Sequence, residues 1–264
     1  MEPAIAAIAV EPARDWGKRA GGLLEHLRAR RTRVHAITNA AAQVLTANLL
    51  LAAGAIPSLT ISPEEVAAFT ARADALLINL GTLDADRRTA IPAAIAMARE
   101  SHTPWVLDPV FVETSPPRLD LARSCLGEKP AVVRCNGPEF EALSGVRVSP
   151  AAVGRFAAAH GCVVALTGPT DLVTDGERSV RIENGHPLMA RVTAMGCAAT
   201  ALVAAFTALE PDPLAAAVGA LAVVGVAGEI AAKTAAGPGT FQPALLDALD
   251  ALDATCLAAR ARTS

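Results

Sequence analysis

The 264-residue chain predicts an α/β fold: a mostly parallel central sheet with helices on both faces, followed by a helical C-terminal third. Three observations carry this. Short apolar, β-branched runs alternate with Ala/Leu-rich segments of helical length. The strand candidates are hydrophobic throughout rather than on alternate residues, as strands buried on both faces require. From Gly196 onward the alternation stops and nearly everything reads as helix.

In chain order, strands are expected at Arg33–Thr38, Ile56–Ile61, Ala75–Leu80, Trp105–Val110, Ala131–Cys135 and Cys162–Thr167. Helices are expected at Ala40–Ala53, Pro63–Ala71, Ala85–Glu100 and Ala151–His160. Ser62-Pro63-Glu64-Glu65 has the order of a capping serine, a proline at the first helical position and acids in the first turn. Asp171–Asp175 and Ser179–Ile182 flank Gly176-Glu177-Arg178 and read as a hairpin. Three helices close the chain, at Gly196–Leu209, Pro213–Lys233 and Pro243–Ala259. No composition shift marks a boundary, so one domain over 1–264 is expected, with 1–30 as an N-terminal extension and first helix.

Composition narrows the function. The chain is 52% hydrophobic and carries 23 basic against 26 acidic residues, which excludes intrinsic disorder and argues against a nucleic-acid partner. The apolar stretch Pro213–Gly228 is shorter than a bilayer needs and is stopped by Glu229, so a buried helix is expected and no membrane partner. Five cysteines without metal-ligand spacing, and an N-terminus without a signal-peptide pattern, suggest a reduced, cytoplasmic protein.

In open α/β sheets ligands bind beyond the carboxyl ends of the strands. Polar residues collect at those ends: Asn39; Asn79, Gly81 and Thr82; Asp108; Arg134, Asn136 and Glu139; Thr167 and Gly168. Asp108 and Glu139 are hard-oxygen candidates for Mg²⁺, which takes one or two carboxylates together with substrate phosphates. Glu139 also suits a first-turn helix acid. Arg134 suits a bidentate phosphate clamp, or a surface salt bridge. Val192-Thr193-Ala194-Met195-Gly196-Cys197 leads into a long helix whose free N–H groups favour an anion. Cys197 in that first turn is expected either to have a lowered thiol pKa or to pack as a small hydrophobe. Neither GxxxxGK[ST] nor a strand-following GxGxxG is present, so phosphates must be held another way.

The order of these motifs resembles the hydroxyethylthiazole kinase family of the ribokinase-like superfamily, over about Val34 to Leu252. The likeness rests on Val34-His35-Ala36-Ile37-Thr38-Asn39, Asp74–Leu83, Leu107-Asp108-Pro109-Val110, Arg134-Cys135-Asn136-Gly137-Pro138-Glu139, Thr167-Gly168, Asn184-Gly185-His186-Pro187 and Gly237-Pro238-Gly239-Thr240-Phe241. It implies a ribokinase-like fold and an ATP- and Mg²⁺-dependent kinase for the primary alcohol of 4-methyl-5-(2-hydroxyethyl)thiazole. It also implies a homotrimer with acceptor sites between subunits. Arg134, Asn136 and Thr167 then fall on the ATP side, and Asp108 and Glu139 on Mg²⁺. Asn39, Leu59, Gly81 and Ala194 fall on the acceptor side. Gly196 and Cys197 take the catalytic position, where related sugar kinases carry an aspartate.

The chain departs from the family on the acceptor side. Ala194 and Met195 replace Gly and Thr, and Phe111 to Ser115 replaces a glycine-rich loop. Leu59 stands for methionine, Ile56 for serine and Val44 for asparagine. Glu113 is placed either to repel ATP or to serve as a further Mg²⁺ ligand. The resemblance therefore leaves open a kinase for another small alcohol, or a non-catalytic nucleotide- or thiazole-binding homologue.

Overall fold

The computed structural model describes residues 9–10 and 15–264. Of the expected N-terminal extension, residues 1–8 and 11–14 lie outside them. The elements run β1 (Ala9–Val10), α1 (Trp16–Arg30), β2 (Arg33–Ile37), α2 (Gln43–Ala53), β3 (Ile56–Ser58), α3 (Val66–Thr70), β4 (Ala75–Asn79), α4 (Ala85–Glu100) and β5 (Trp105–Asp108). They continue α5 (Pro116–Gly127), β6 (Val132–Asn136), α6 (Gly137–Ser144), α7 (Pro150–His160), β7 (Val163–Thr167), β8 (Asp171–Thr174) and β9 (Arg178–Ile182). A 3₁₀ turn at Pro187–Arg191 then leads to α8 (Met195–Thr207), α9 (Pro213–Ala232), α10 (Pro238–Ala251) and α11 (Ala254–Arg260).

The nine strands form one sheet in the order β1-β9-β8-β7-β6-β5-β4-β2-β3. Pairing from β3 through β7 is parallel, and only the β7–β8 and β8–β9 pairs are antiparallel. The continuous hydrophobicity of the strands has its cause in two cores. Along β4, Ala75 and Leu77 join a core made with α1, α2 and the C-terminal helices, while Leu76 and Ile78 join a second core with α3 to α7. Every β4 residue is thus buried on one side or the other. The helix α9 is the one described helix long and apolar enough to cross a membrane, and 89% of that stretch is buried inside the fold, as the core reading expects.

Several boundaries differ from the sequence expectation. The third strand ends at Ser58, because only Ile56, Pro57 and Ser58 pair with β2 at this sheet edge. Ser62 does not cap a helix with its side chain; its carbonyl accepts from the N–H groups of Glu65 and Val66, and the helix begins only at Val66. The segment after Asp108 folds into α5, which its prolines and scattered charges conceal in the sequence. The expected helix Pro243–Ala259 is two helices: α10 ends before Leu252, and Asp253 accepts from the N–H of Cys256 to cap α11.

Candidate functional site

The parallel strands point their carboxyl ends at one rim, and the predicted polar residues meet there. Asn79, at the end of β4, holds its neighbours on both sides. Its Nδ2 donates to Asp108 Oδ2 at 2.8 Å, while its Oδ1 accepts from Asn39 Nδ2 and from the Gly81 N–H, both at 3.1 Å. Asn39 Nδ2 also lies 3.2 Å from Cys197 Sγ. From the opposite side Thr200, one turn into α8, reaches Asp108 Oδ2 at 2.9 Å. The ends of three strands and the start of α8 are thereby tied into one buried chain of polar groups. Gly81 has to be glycine, since a Cβ there would lie 2.5 Å from Asn39 Cβ.

Asp108 is fully buried, and its second oxygen, Oδ1, has no hydrogen-bond partner among the described residues. Burial drives its carboxyl pKa up, against the charge of Arg134 and the Thr200 and Asn79 donors. Glu139 sits close by at the start of α6. It completes a capping box, its Oε2 accepting from the Asn136 N–H at 2.9 Å while Asn136 Oδ1 accepts from the Glu139 N–H at 2.9 Å. Its Oε1 also accepts from the Phe111 N–H at 3.2 Å. Burial and then the charge of Asp108 push the Glu139 carboxyl up to about 7, despite these backbone donors. The two carboxylates form a hard-oxygen pair with a free, buried oxygen facing no partner. That donor set fits one Mg²⁺ that also takes substrate phosphates.

Beside this pair opens a cavity of roughly 650 Å³. Arg134, Thr167, Asp171 and Gly196 line it, together with Asn184 to Pro187, Met189, Leu221, Val224 and Gly225. Arg134 lies directly on the α8 start: a Cβ at Gly196 would be 2.6 Å from its Nη1. Its Nε is buried without a partner. No side chain caps α8, so its first N–H groups are not satisfied by a cap. A guanidinium and an uncapped helix N-terminus side by side make an anion site. Asp171 accepts from the Gly168 N–H at 2.9 Å, and burial pushes its carboxyl up to about 6.

A profile of the hydroxyethylthiazole kinase family matches residues 24–255. The hydroxyethylthiazole kinase of Granulibacter bethesdensis is 48% identical over 253 residues, covering 91% of this chain and 92% of that one. The chain belongs to the hydroxyethylthiazole kinase family. The solved structure of the family member from Pyrococcus horikoshii superposes with a TM-score of 0.89 at 35% identity, over 94% of this chain and 98% of that one. A ribokinase-like superfamily protein from Enterococcus faecalis, 17% identical, shares the fold with a TM-score of 0.66 over 87% of this chain and 93% of its own. The chain is therefore a kinase, a phosphotransferase on a ribokinase-like α/β scaffold.

Against that family, the departures acquire backbone geometry. Ala194 stands at φ 66° and Phe111 at φ 56°, both in the left-handed region that glycine adopts most readily. Phe111 is 58% exposed. Leu59 follows β3 one step beyond the Ser58–His35 pairing, toward the rim that Asn39 occupies, and is half-buried against the core. Of the two readings of Cys197, its surroundings favour the packed thiol. Burial, and then the charge of Asp108, push its thiol up to about 11, so the helix start does not yield a thiolate. Sequence reasoning missed Thr200 and most of the far cavity wall. Thr200 had a signal: a hydroxyl in the middle of an apolar helical stretch, one turn beyond Gly196.

Proposed function

We propose that this kinase transfers the γ-phosphoryl group of ATP to the hydroxyethyl alcohol of 4-methyl-5-(2-hydroxyethyl)thiazole, acting as one ribokinase-like domain. The observation that carries this is the junction at Gly196. There the anion site of Arg134 and α8 opens the 650 Å³ cavity on one side and adjoins the Asn39–Asn79–Asp108 chain on the other. A triphosphate laid along the cavity has its phosphates at Arg134, Thr167 and Gly196 and its base toward Met189 and Val224. Asn136 fixes this end by capping α6.

Asp108, through Oδ1, and Glu139 would hold Mg²⁺, which supplies neutralisation of phosphate charge. The acceptor lies beside Cys197, framed by Asn39, Gly81, Ala194 and Leu59. Its alcohol oxygen bonds to the γ-phosphorus as the bond to the departing ADP breaks, and its proton is released. Phosphoryl transfer of this kind needs chiefly positioning and charge stabilisation. Cys197, whose thiol burial pushes up to about 11, shapes the acceptor side beside Asn39. Val44 and Leu51, seven residues apart on one side of α2, are exposed at 70% and 57%. This apolar stripe supports a homotrimer whose subunits close the acceptor pocket. Five free cysteines support a reducing, cytoplasmic setting.

A second reading, a kinase for another small alcohol, is favoured by one observation: the exposed Phe111 ring stands on the acceptor-side loop where relatives have glycine. Incubation with ATP, Mg²⁺ and a panel of alcohols, read by product mass, separates the two. Thiazole phosphate as the preferred product supports the first reading; a different preferred product replaces it with the second.

A further inference from the structure

The greasy helix α9 contains one charged residue, Glu229, in its last turn, where the helix dipole disfavours a carboxylate. It is nonetheless held ionised. Burial acts against the charge, yet Arg262, the Gly185 N–H and Asn184 outweigh it and keep the Glu229 pKa below the ordinary value. Oε1 accepts from the Gly185 N–H at 3.0 Å, from Asn184 Nδ2 at 3.1 Å and from Arg262 Nη2 at 2.7 Å; Oε2 accepts from Arg262 Nη1 at 3.1 Å. The Asn184 amide is tied into the same knot. Its Nδ2 also donates to the Arg260 carbonyl at 2.9 Å, and its Oδ1 accepts from the Arg262 N–H at 2.7 Å.

Asn184 and Gly185 are cavity wall. The facing wall is α9 itself, and two of its glycines allow close approach. A Cβ at Gly225 would lie 2.7 Å from Asn184 Cβ, and one at Gly228 would lie 2.6 Å from Met189 Sδ. Glu229 follows directly and fastens the 184–189 segment to the helix it packs on. Glu229 does not line the cavity, so it acts on a ligand only through that segment.

We infer that Glu229, completed by Arg262, is a positioning residue for the nucleotide: it sets the distance between the two walls that receive the base. This rests on the assignment of ATP to the cavity. None of the hydrogen bonds that join the two walls involves Asn39, Asp108 or Cys197, so the effect is expected on the nucleotide rather than the acceptor. Both N–H donors of the Asn184 amide are spent inside the knot, so it shapes the pocket without donating to the base edge.

The test is titration of the wild-type protein, Glu229→Ala, Glu229→Gln and Arg262→Ala with the β,γ-methylene analogue of ATP and Mg²⁺, beside steady-state kinetics. Glu229→Ala is expected to raise the nucleotide Kd and the ATP KM roughly tenfold, with acceptor KM unchanged. Glu229→Gln, which keeps an oxygen for the Gly185 N–H, restores most of the affinity. Arg262→Ala, at an exposed side chain, weakens nucleotide binding by less, and decides the matter if Glu229→Ala fails to fold. Folded variants that bind the nucleotide as tightly as wild type, or that raise both KM values equally, overturn the positioning role. A wild-type protein that binds no nucleotide overturns the cavity assignment and this inference with it.

Discussion

Both hydrogen bonds to Asp108 fall on Oδ2, and Oδ1 is left bare in a buried place. A buried polar atom without a partner costs roughly 1–3 kcal/mol, more when charged, and such costs collect where function needs them. His35 shows the same economy away from the rim. It is fully buried, its Nδ1 is 2.9 Å from Ser58 Oγ, its ring stacks on Phe69, and its Nε2 has no partner. Burial pushes its pKa down to about 4. The folded state thus refuses a proton that the unfolded chain accepts below about pH 6.5, so His35 contributes stability above that pH and loses it as the pH falls toward 4. Denaturant unfolding of wild type should weaken by up to about 3 kcal/mol across this window, and His35→Gln should flatten that part of the profile. An unchanged slope in the variant sinks this assignment. At this scale the sequence was informative for Asp108, Arg134, Glu139 and Asn39, because each stands at a strand end. It was silent on ionisation, which depends on burial: Cys197 reads as an activated thiol by position and is the opposite by environment.

At the scale of elements, the start of α8 decides most. Ala194 adopts φ 66° to turn the chain into the helix, a conformation that costs an alanine about 1 kcal/mol or more. Ala194→Gly should therefore hold or raise the melting temperature, although Ala→Gly inside a helix normally lowers it by costing roughly 0.5–1 kcal/mol. Gly196→Ala should behave in the reverse way. Its new Cβ meets the flexible end of Arg134, so the fold gives little and the clamp moves. Nucleotide affinity is expected to fall by about tenfold or more with a small change in melting temperature. A large loss of stability without a loss of affinity contradicts that reading. Element existence was largely legible, since two-sided burial leaves unbroken apolar runs. Ends were not. The helix break at Leu252-Asp253 follows from a cap that only the fold brings into place, and α5 carries prolines and charges that hide its buried stripe of Ala122, Cys125 and Leu126.

At the scale of the whole molecule, the sheet delivers Asn39, Asn79, Asp108, Asn136 and Thr167 to one rim from five parallel strands, and the C-terminal helices close the cavity from one face. The far cavity wall was not legible in the sequence, because Leu221, Val224 and Gly225 look like any buried helix until α9 is set against Asn184. Another surface is left over: the exposed apolar side chains of Val44 and Leu51 on α2. If the proposed homotrimer forms through this stripe, Leu51→Glu should lower the mass in solution, measured by light scattering, and raise the acceptor KM more than the ATP KM. A trimer unaffected by this charge places the subunit contact elsewhere.

The claim on which the rest depends is that the bare oxygen of Asp108 serves the transferring phosphate. Asp108→Asn preserves the size of the side chain and an oxygen for the Asn79 and Thr200 donors. Turnover of hydroxyethylthiazole with ATP and Mg²⁺ should fall at least about a hundredfold in this variant. The fold and the nucleotide Kd should remain close to wild type. A folded Asp108→Asn enzyme that phosphorylates the thiazole at the wild-type rate would contradict the account.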